Sequence, residues 1–380
     1  MQITTSQYTR AGGWSRPLDP SWDGEHTLVL AFGAPEYGST DPAPLSQLAA
    51  AYPRSALLGC STAGEIVDQH VHDASLSVAV VRFERTALRS ASAAVAEPGA
   101  SRQAGESLAR QLGGRDLRAV FLLSDGLRVN GTTLVEGLVS QLPAGVSVTG
   151  GLAGDGSQFG RTWVLERGVP TPGRVSAVGL YGEWVRIGHG CDHGWVEFGP
   201  PRRITRSSGN MLHELDGKPA LELYKTYLGD LAAGLPGTAL LFPLAVWRDE
   251  ADGDPLVRTI LAIDEARQSM TFAGDIPEGG IARLMRSNND KLIDSAGRAI
   301  GKAAQDAAPG EALVVSVSCV GRRLLLGERT DEEIETVRDG APARAGHVGF
   351  YSYGEISPAL NGQCSELHNQ TMTVTVISEA

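Results

Sequence analysis

Two segments far apart in the chain carry the same residue types in the same order, and a chain that repeats itself in this way must build one kind of unit more than once. The first runs LVLAFG, then ALLGCSTAGEI, then HDASLSVAVV from His72; the second runs LVVSVS, then VGFYSYGEI, then HNQTMTVTVI from His368. In the last strings His72 answers His368, Asp73 answers Asn369, and Ser75, Ser77 and Val78 answer Thr371, Thr373 and Val374 without a gap. A fainter middle copy, AVFLLSDGL followed by GGLAGDG, lacks the histidine.

Each copy opens on an apolar run of strand length, passes through a helical stretch and returns to a strand. The expected fold is therefore a mixed α/β (α+β) protein of two domains, with mixed β-sheets flanked by helices and an internally duplicated strand-helix-strand unit. Residues 1–25 read as an irregular arm, 26–200 as the first domain and 201–380 as the second. The second domain is expected to hold a helix at Ala220–Leu228 and an extended run at Thr238–Trp247. A small-residue helix follows at Asp290–Ala307, with Ile293, Ile300 and Ala304 on one face. Thr330 and Glu333 have the form of a capping box. GEISPALNGQCSELHN reads as a loop before a last strand, Met372–Ile377. Alternation places His72 with Leu76, Val78 and Val80, and His368 with Met372, Val374 and Val376, so that each imidazole begins a buried strand.

Composition narrows the partners. The formal net charge of -11 comes with no basic cluster larger than pairs such as Arg202 and Arg203, which argues against nucleic acid and anionic membranes. The apolar stretch Ala239–Trp247 is too short to span a bilayer and the first ten residues lack an apolar signal core, so a cytoplasmic location is expected. Cys60, Cys191, Cys319 and Cys364 form no CxxC pair, so free thiols and no structural metal are expected.

The candidate ligand-binding residues lie at strand exits of the copies: Cys60, Ser61, Thr62 and Glu65; Ser124 and Asp125; Gly151 and Asp155; Cys319 and Arg322; Tyr351, Tyr353 and Glu355. Junctions between related halves are favoured places for pockets, and tyrosine hydroxyls near a Glu and an Arg suit an amino-acid-sized polar ligand. Arg322 could clamp a ligand carboxylate bidentately. Cys60 could be a nucleophile, but its motif holds no histidine to act as base. GGLAGDG lacks the Gly-Lys-Ser/Thr ending of a phosphate loop, and Asp125 and Asp155 read equally as turn residues. Haem would need a neutral histidine, for which His368 is the first candidate and His72 the alternative; His189 and His193 sit in a glycine-rich stretch that does not look helical.

GCSTAGEI, SDGL with Asn130–Gly131, GGLAGDG, ELDGKPALELY, SCVGR, GFYSYGEI and LHNQT, in this order, resemble the FIST family, with its N-terminal and C-terminal domains together. The resemblance covers nearly the whole chain after about residue 26. It implies a sensory, non-enzymatic domain of intracellular signal transduction that binds a small ligand such as an amino acid. It also implies a separate signalling partner, such as a histidine kinase or a cyclic-dinucleotide enzyme. Some members bind haem and sense nitric oxide, and the family offers no settled catalytic residues to carry over.

Overall fold

The computed structural model describes residues 1–249, 255–359 and 364–380. In a first unit, β1 (Gln2–Thr9), β2 (Gly13–Trp14) and β3 (Thr27–Gly33) lead through α1 (Ala43–Ala51) to β4 (Ala56–Ser61). A hairpin follows, β5 (Glu65–Val67) with β6 (His70–His72), and then β7 (Ser75–Arg82). A second unit has β8 (Ala87–Ala94), α2 (Ser101–Leu112), β9 (Leu117–Ser124), α3 (Gly131–Val139) and β10 (Ser147–Leu152). It closes with the hairpin β11 (Val164–Glu166) and β12 (Val169–Thr171), and β13 (Arg174–Tyr181).

The third unit starts with β14 (Val185–Asp192) and is interrupted by an inserted body. That body comprises β15 (Val196–Ser208), β16 (Met211–Leu215), β17 (Lys218–Pro219), α4 (Ala220–Leu228), β18 (Leu244–Trp247), β19 (Leu256–Arg258), β20 (Ile260–Asp264), β21 (Ser269–Phe272) and β22 (Ile281–Arg286). The unit resumes with α5 (Asn289–Ala303), β23 (Ala312–Cys319), α6 (Val320–Leu326), α7 (Thr330–Gly340) and β24 (Ala345–Ser352). It ends with the hairpin β25 (Gly354–Pro358) and β26 (Ser365–His368), and β27 (Met372–Glu379).

Among the described residues the strands form four sheets, and the three outside the inserted body share one order. Each is centred on a parallel pair, β3 with β4, β9 with β10 and β23 with β24, flanked by an antiparallel third strand, β7, β13 or β27. Parallel neighbours require a crossover, and α1, α3 and α7 lie in the three connections. The hairpin that follows each pair leaves its own sheet. β5–β6 joins the third unit's sheet, β11–β12 the first unit's and β25–β26 the second unit's, so the exchange runs in a cycle. A glycine faces the neighbouring strand at one rung of every parallel pair: Ala31 opposes Gly59, Leu122 opposes Gly150 and Ser316 opposes Gly349. A Cβ on Gly349 would lie 2.0 Å from the Ser316 carbonyl oxygen.

The inner faces of the three sheets meet in one apolar core that holds Phe32, Leu58, Phe121, Leu123, Val315, Val317 and Phe350. Phe32 and Phe350 stack there with ring centroids 4.7 Å apart. The inserted body has its own core around Leu212, Tyr224, Met270 and Phe272.

Several local expectations change. Residues 2–9, expected to be irregular, pair along their length with β7, because alternate residues of this segment can rest against the first sheet. His72 and His368 end short hairpin strands rather than begin long ones. Ala74 and Gln370, at φ 54 and 60, turn the chain before β7 and β27 start. Most of the expected loop after Tyr353 is the hairpin β25–β26, and its residues 360–363 lie outside the described residues. Residues 237–241 form a 3-10 turn rather than extended chain. On α5 it is Leu292, Ala296, Ala299, Ile300 and Ala303 that are buried, while Ile293 is only partly covered. Position 200, the expected border, falls within β15.

Candidate functional site

Three carboxylates occupy corresponding strand exits. Glu65 accepts hydrogen bonds from the Thr62 hydroxyl and from the Ser75 amide and hydroxyl at 3.0 and 2.9 Å. Glu355 accepts from the Ser352 hydroxyl at 2.6 Å and from the Thr371 amide and hydroxyl at 3.1 and 2.9 Å. Asp155 accepts from the Gly160 and Arg161 amides at 2.8 and 2.6 Å and from the Tyr353 hydroxyl. Burial pushes the Glu65 carboxyl up to about 8 and that of Glu355 up to about 7, against the pull of their hydrogen bonds. Gly151 opposes Glu355 across the β10–β25 ladder. Asp125 holds the amides of Leu127, Arg128 and Gly173, each at 2.8 Å, which is the work of a turn residue, and the Ser124 hydroxyl donates to the Asp125 carbonyl.

Cys60 and Cys319 are buried, and burial raises both thiols above their ordinary value, the reverse of what activates a nucleophile. Arg322 is fully buried and already holds a carboxylate. Its Nε and Nη2 donate to Glu333 at 2.8 and 2.5 Å, and further bonds reach the carbonyls of His193 and Leu292 at 2.8 and 2.9 Å. Glu333 also takes the hydroxyls of Ser318 and Tyr351, at 3.0 and 2.7 Å. The acid expected to cap a helix is thus turned inward, and the guanidinium expected to clamp a ligand is saturated by protein. Thr62, Ser61 and Tyr351 do meet at one junction, where the Ala63 amide donates to Tyr351 and the Gly154 amide to Ser61.

Open space lies elsewhere, at the seam between the hairpin β25–β26, α3 and the inserted body. A cleft of about 550 Å³ has Thr132 and Glu136 on one wall, Val246, Leu256, Arg258 and Ile276 on another, and Glu366 from the hairpin. In an antiparallel hairpin, opposed residues share a face. Glu355 opposes His368 and Ser357 opposes Glu366, so all four look the same way. Asn130, which caps α3 through the Thr133 amide, also donates to Asp275 of the inserted body at 3.0 Å. Arg258, 2% exposed, donates from Nε to the Asp275 carbonyl at 3.2 Å and from Nη1 to the Leu367 carbonyl at 3.0 Å. Burial lowers its pKa to about 10, so it stays cationic at neutral pH. The hydroxyls of Thr259 and Ser357 are buried without a hydrogen-bond partner, and neither residue lines the cleft.

His368 Nε2 lies 3.2 Å from the Ser357 carbonyl, and burial, with Arg258 nearby, holds the imidazole down to about 4. His72 is half-exposed in a groove with Arg16, Asp68 and His70. Haem wants a free imidazole nitrogen in an apolar pocket, and neither place fits it.

Sequence reasoning missed Glu333, Asp275 and Arg258. An arginine inside the apolar run that begins at Leu256 was the available signal for the last, since a charge there must find a buried partner or a ligand.

Three exchanged-hairpin sheets with an inserted body and a polar seam between them define a two-body α/β protein with a cleft at its joint. The chain belongs to the FIST family: the FIST N domain matches residues 27–218 and the FIST C domain residues 220–358. FIST domains are sensory domains of signal-transduction proteins. No curated protein matches the chain. The crystal structure of cyanuic acid hydrolase from A. caulinodans aligns with 99% of this chain and 98% of its own at 10% identity, with a TM-score of 0.34, and so slight a likeness carries no argument. Among the described residues no helix is long and apolar enough to cross a membrane.

Proposed function

We propose that the chain is a sensory module that binds a small polar ligand of amino-acid size in the cleft between its inserted body and its three-sheet core. It then signals through a separate protein, a histidine kinase or a cyclic-dinucleotide enzyme being the kind of partner expected, and a cytoplasmic location belongs to the same reading. The observation that carries it is the composition of the walls: Thr132 and Glu136 come from the core helix, Val246 and Ile276 from the inserted body and Glu366 from the exchanged hairpin. A ligand that touches both bodies binds one of their relative positions better than another, and only such differential binding can shift a conformational equilibrium.

The test is a thermal-shift screen of the full chain against amino acids and related metabolites, repeated on Leu256→Trp, which narrows the cleft from a partly exposed position. A ligand class that raises the melting temperature of the native chain and leaves the variant unmoved supports the cleft. Equal stabilisation of both proteins places the ligand elsewhere.

A further inference from the structure

Each unit's first strand flanks β7, β13 or β27 at the side of its sheet. In the first unit the chain itself closes the outer side of β1. Glu311 takes the Ile3 amide, Ser15 takes the Gln7 amide and donates its own amide to the Gln7 carbonyl, and β2 pairs with Tyr8 and Thr9. Half of β14 is buried. β8 differs: it ends the second sheet, and of its eight residues only Ala91 is buried.

The direction of its backbone groups follows from its neighbours. Val95, just past β8, donates its amide to the Gly173 carbonyl, so the odd-numbered residues bond towards β13. In an antiparallel pair the residues between them point the other way. Leu88, Ser90, Ser92 and Ala94 therefore direct their N–H and C=O groups outward. Among the described residues only one of these groups has a partner, the Ser92 carbonyl, which accepts from the Gln111 side-chain amide at 3.1 Å. No Pro, no Lys and no bulge interrupts the edge, so it lacks the devices that keep an exposed strand single. We infer that this edge is a docking site, where an extended acidic segment of a partner protein adds to the second unit's sheet as a further strand.

A groove of about 480 Å³ lies beside the edge, lined by Ser90 and Ser92 together with Leu57, Leu165, Glu166 and Arg167. Alternate side chains of a strand share a face, so a strand added to β8 sends every second side chain towards this groove. Charge selects the occupant. Glu166 is paired with Arg174 at 3.1 Å and accepts the Ser92 hydroxyl at 3.4 Å, whereas Arg167 is exposed and forms no ion pair among the described residues. On the other face Arg89 lies over the Tyr181 ring and bonds only the carbonyls of Gln111 and Gly113. Two guanidinium groups without a carboxylate thus flank the edge of a chain whose formal net charge is -11, and an acid on the incoming strand meets attraction on either face. The edge gives the partner of the proposed function a place to bind without using the cleft, so either reading can fail alone.

The experiment selects phage-displayed random decapeptides on the full chain and measures the enriched ones, as synthetic peptides, by calorimetric titration. They should read as strands, rich in β-branched residues, with an acid and no Pro. Ser90→Pro deletes one outward N–H, leaves the bonds to β13 in place, and should weaken binding about tenfold or more. Arg167→Glu should weaken it roughly threefold. Hydrogen exchange on the native chain gives a reading that needs no variant. With peptide bound, the Leu88, Ser90 and Ser92 amides should slow, while those of Arg89, Ala91 and Ala93 should already be slow in the free protein. Peptides that bind Ser90→Pro equally, protection that appears elsewhere, enriched strands without acids, or no enriched sequence overturns the inference. So does sedimentation of the free chain as a dimer that Ser90→Pro turns into a monomer, since the edge then belongs to a second copy.

Discussion

Arg322 and Glu333 form an ion pair with no exposed side-chain surface, and the same guanidinium holds the His193 and Leu292 carbonyls, one just before and one just after the inserted body. The two crossings into that body are thereby tied to α7 and to Tyr351 of the core. Removing one member of a buried pair leaves an uncompensated charge, with a cost of about 3–5 kcal/mol.

Glu333→Gln should therefore lower the free energy of unfolding by several kcal/mol, read from urea denaturation, whereas Arg322→Met combined with Glu333→Leu should cost less than the two single changes summed. Additive losses would mean that the pair does not act as a unit.

Stability should fall with rising pH between about 6.5 and 8.5. Glu65 and Glu355 have folded values raised to about 8 and 7 from 4.5, so the folded state holds protons that the unfolded chain releases. Their contribution is complete below the unfolded value and disappears as pH climbs through the folded one. His347 and His368, both held down to about 4, act in the opposite direction only below about 6.5. Urea melts across this window should show the decline, and Glu65→Gln should flatten it; a rise with pH would refute the assignment.

Gly349→Ala should unfold the protein or cost more than about 3 kcal/mol, because its Cβ would sit 2.0 Å from the Ser316 carbonyl oxygen, in a strand with no room to retreat. Gly301→Ala, in α5 with open space around the added methyl, serves as the contrasting control and should stabilise the protein by up to about 1 kcal/mol in a calorimetric scan.

Asn130→Ala should cost about 1–2 kcal/mol through loss of the cap on α3. It should also weaken any cleft ligand, because the same side chain holds Asp275 of the inserted body. Asn130→Ser, which keeps a cap but not the reach to Asp275, should recover stability without recovering affinity.

Purified protein mixed with haem under reducing conditions should show no sharp Soret band that shifts with nitric oxide. A band lost on replacing His368 would overturn the misfit argued from its bond to Ser357 and its neighbour Arg258.

Much of the core was legible because strand pairing writes itself into apolar runs, and GEI in two copies marks strand exits whose glutamates do receive matching sets of hydroxyls and amides. The hairpin exchange was not legible, since β5 and β6 are three residues each and nothing local says which sheet accepts them. Glu333 misled for a specific reason: three residues after Thr330, an acid that reaches inward has the same spacing as one that caps. The alternation pattern assigns His72 to the start of β7, whereas it ends β6: Ala74, a non-glycine residue at positive φ, turns the chain between the two strands, and sequence patterns do not advertise that conformation.

The cyclic loan of hairpins sets an order of events during synthesis. The second unit's sheet receives β25–β26, whose residues 354–358 and 365–368 leave the ribosome long after β9 and β10. That sheet must wait with an unpaired edge while the inserted body and most of the third unit are translated. Exposed edges invite aggregation, so the interval between residue 152 and residue 354 is where a nascent chain of this kind most needs a chaperone.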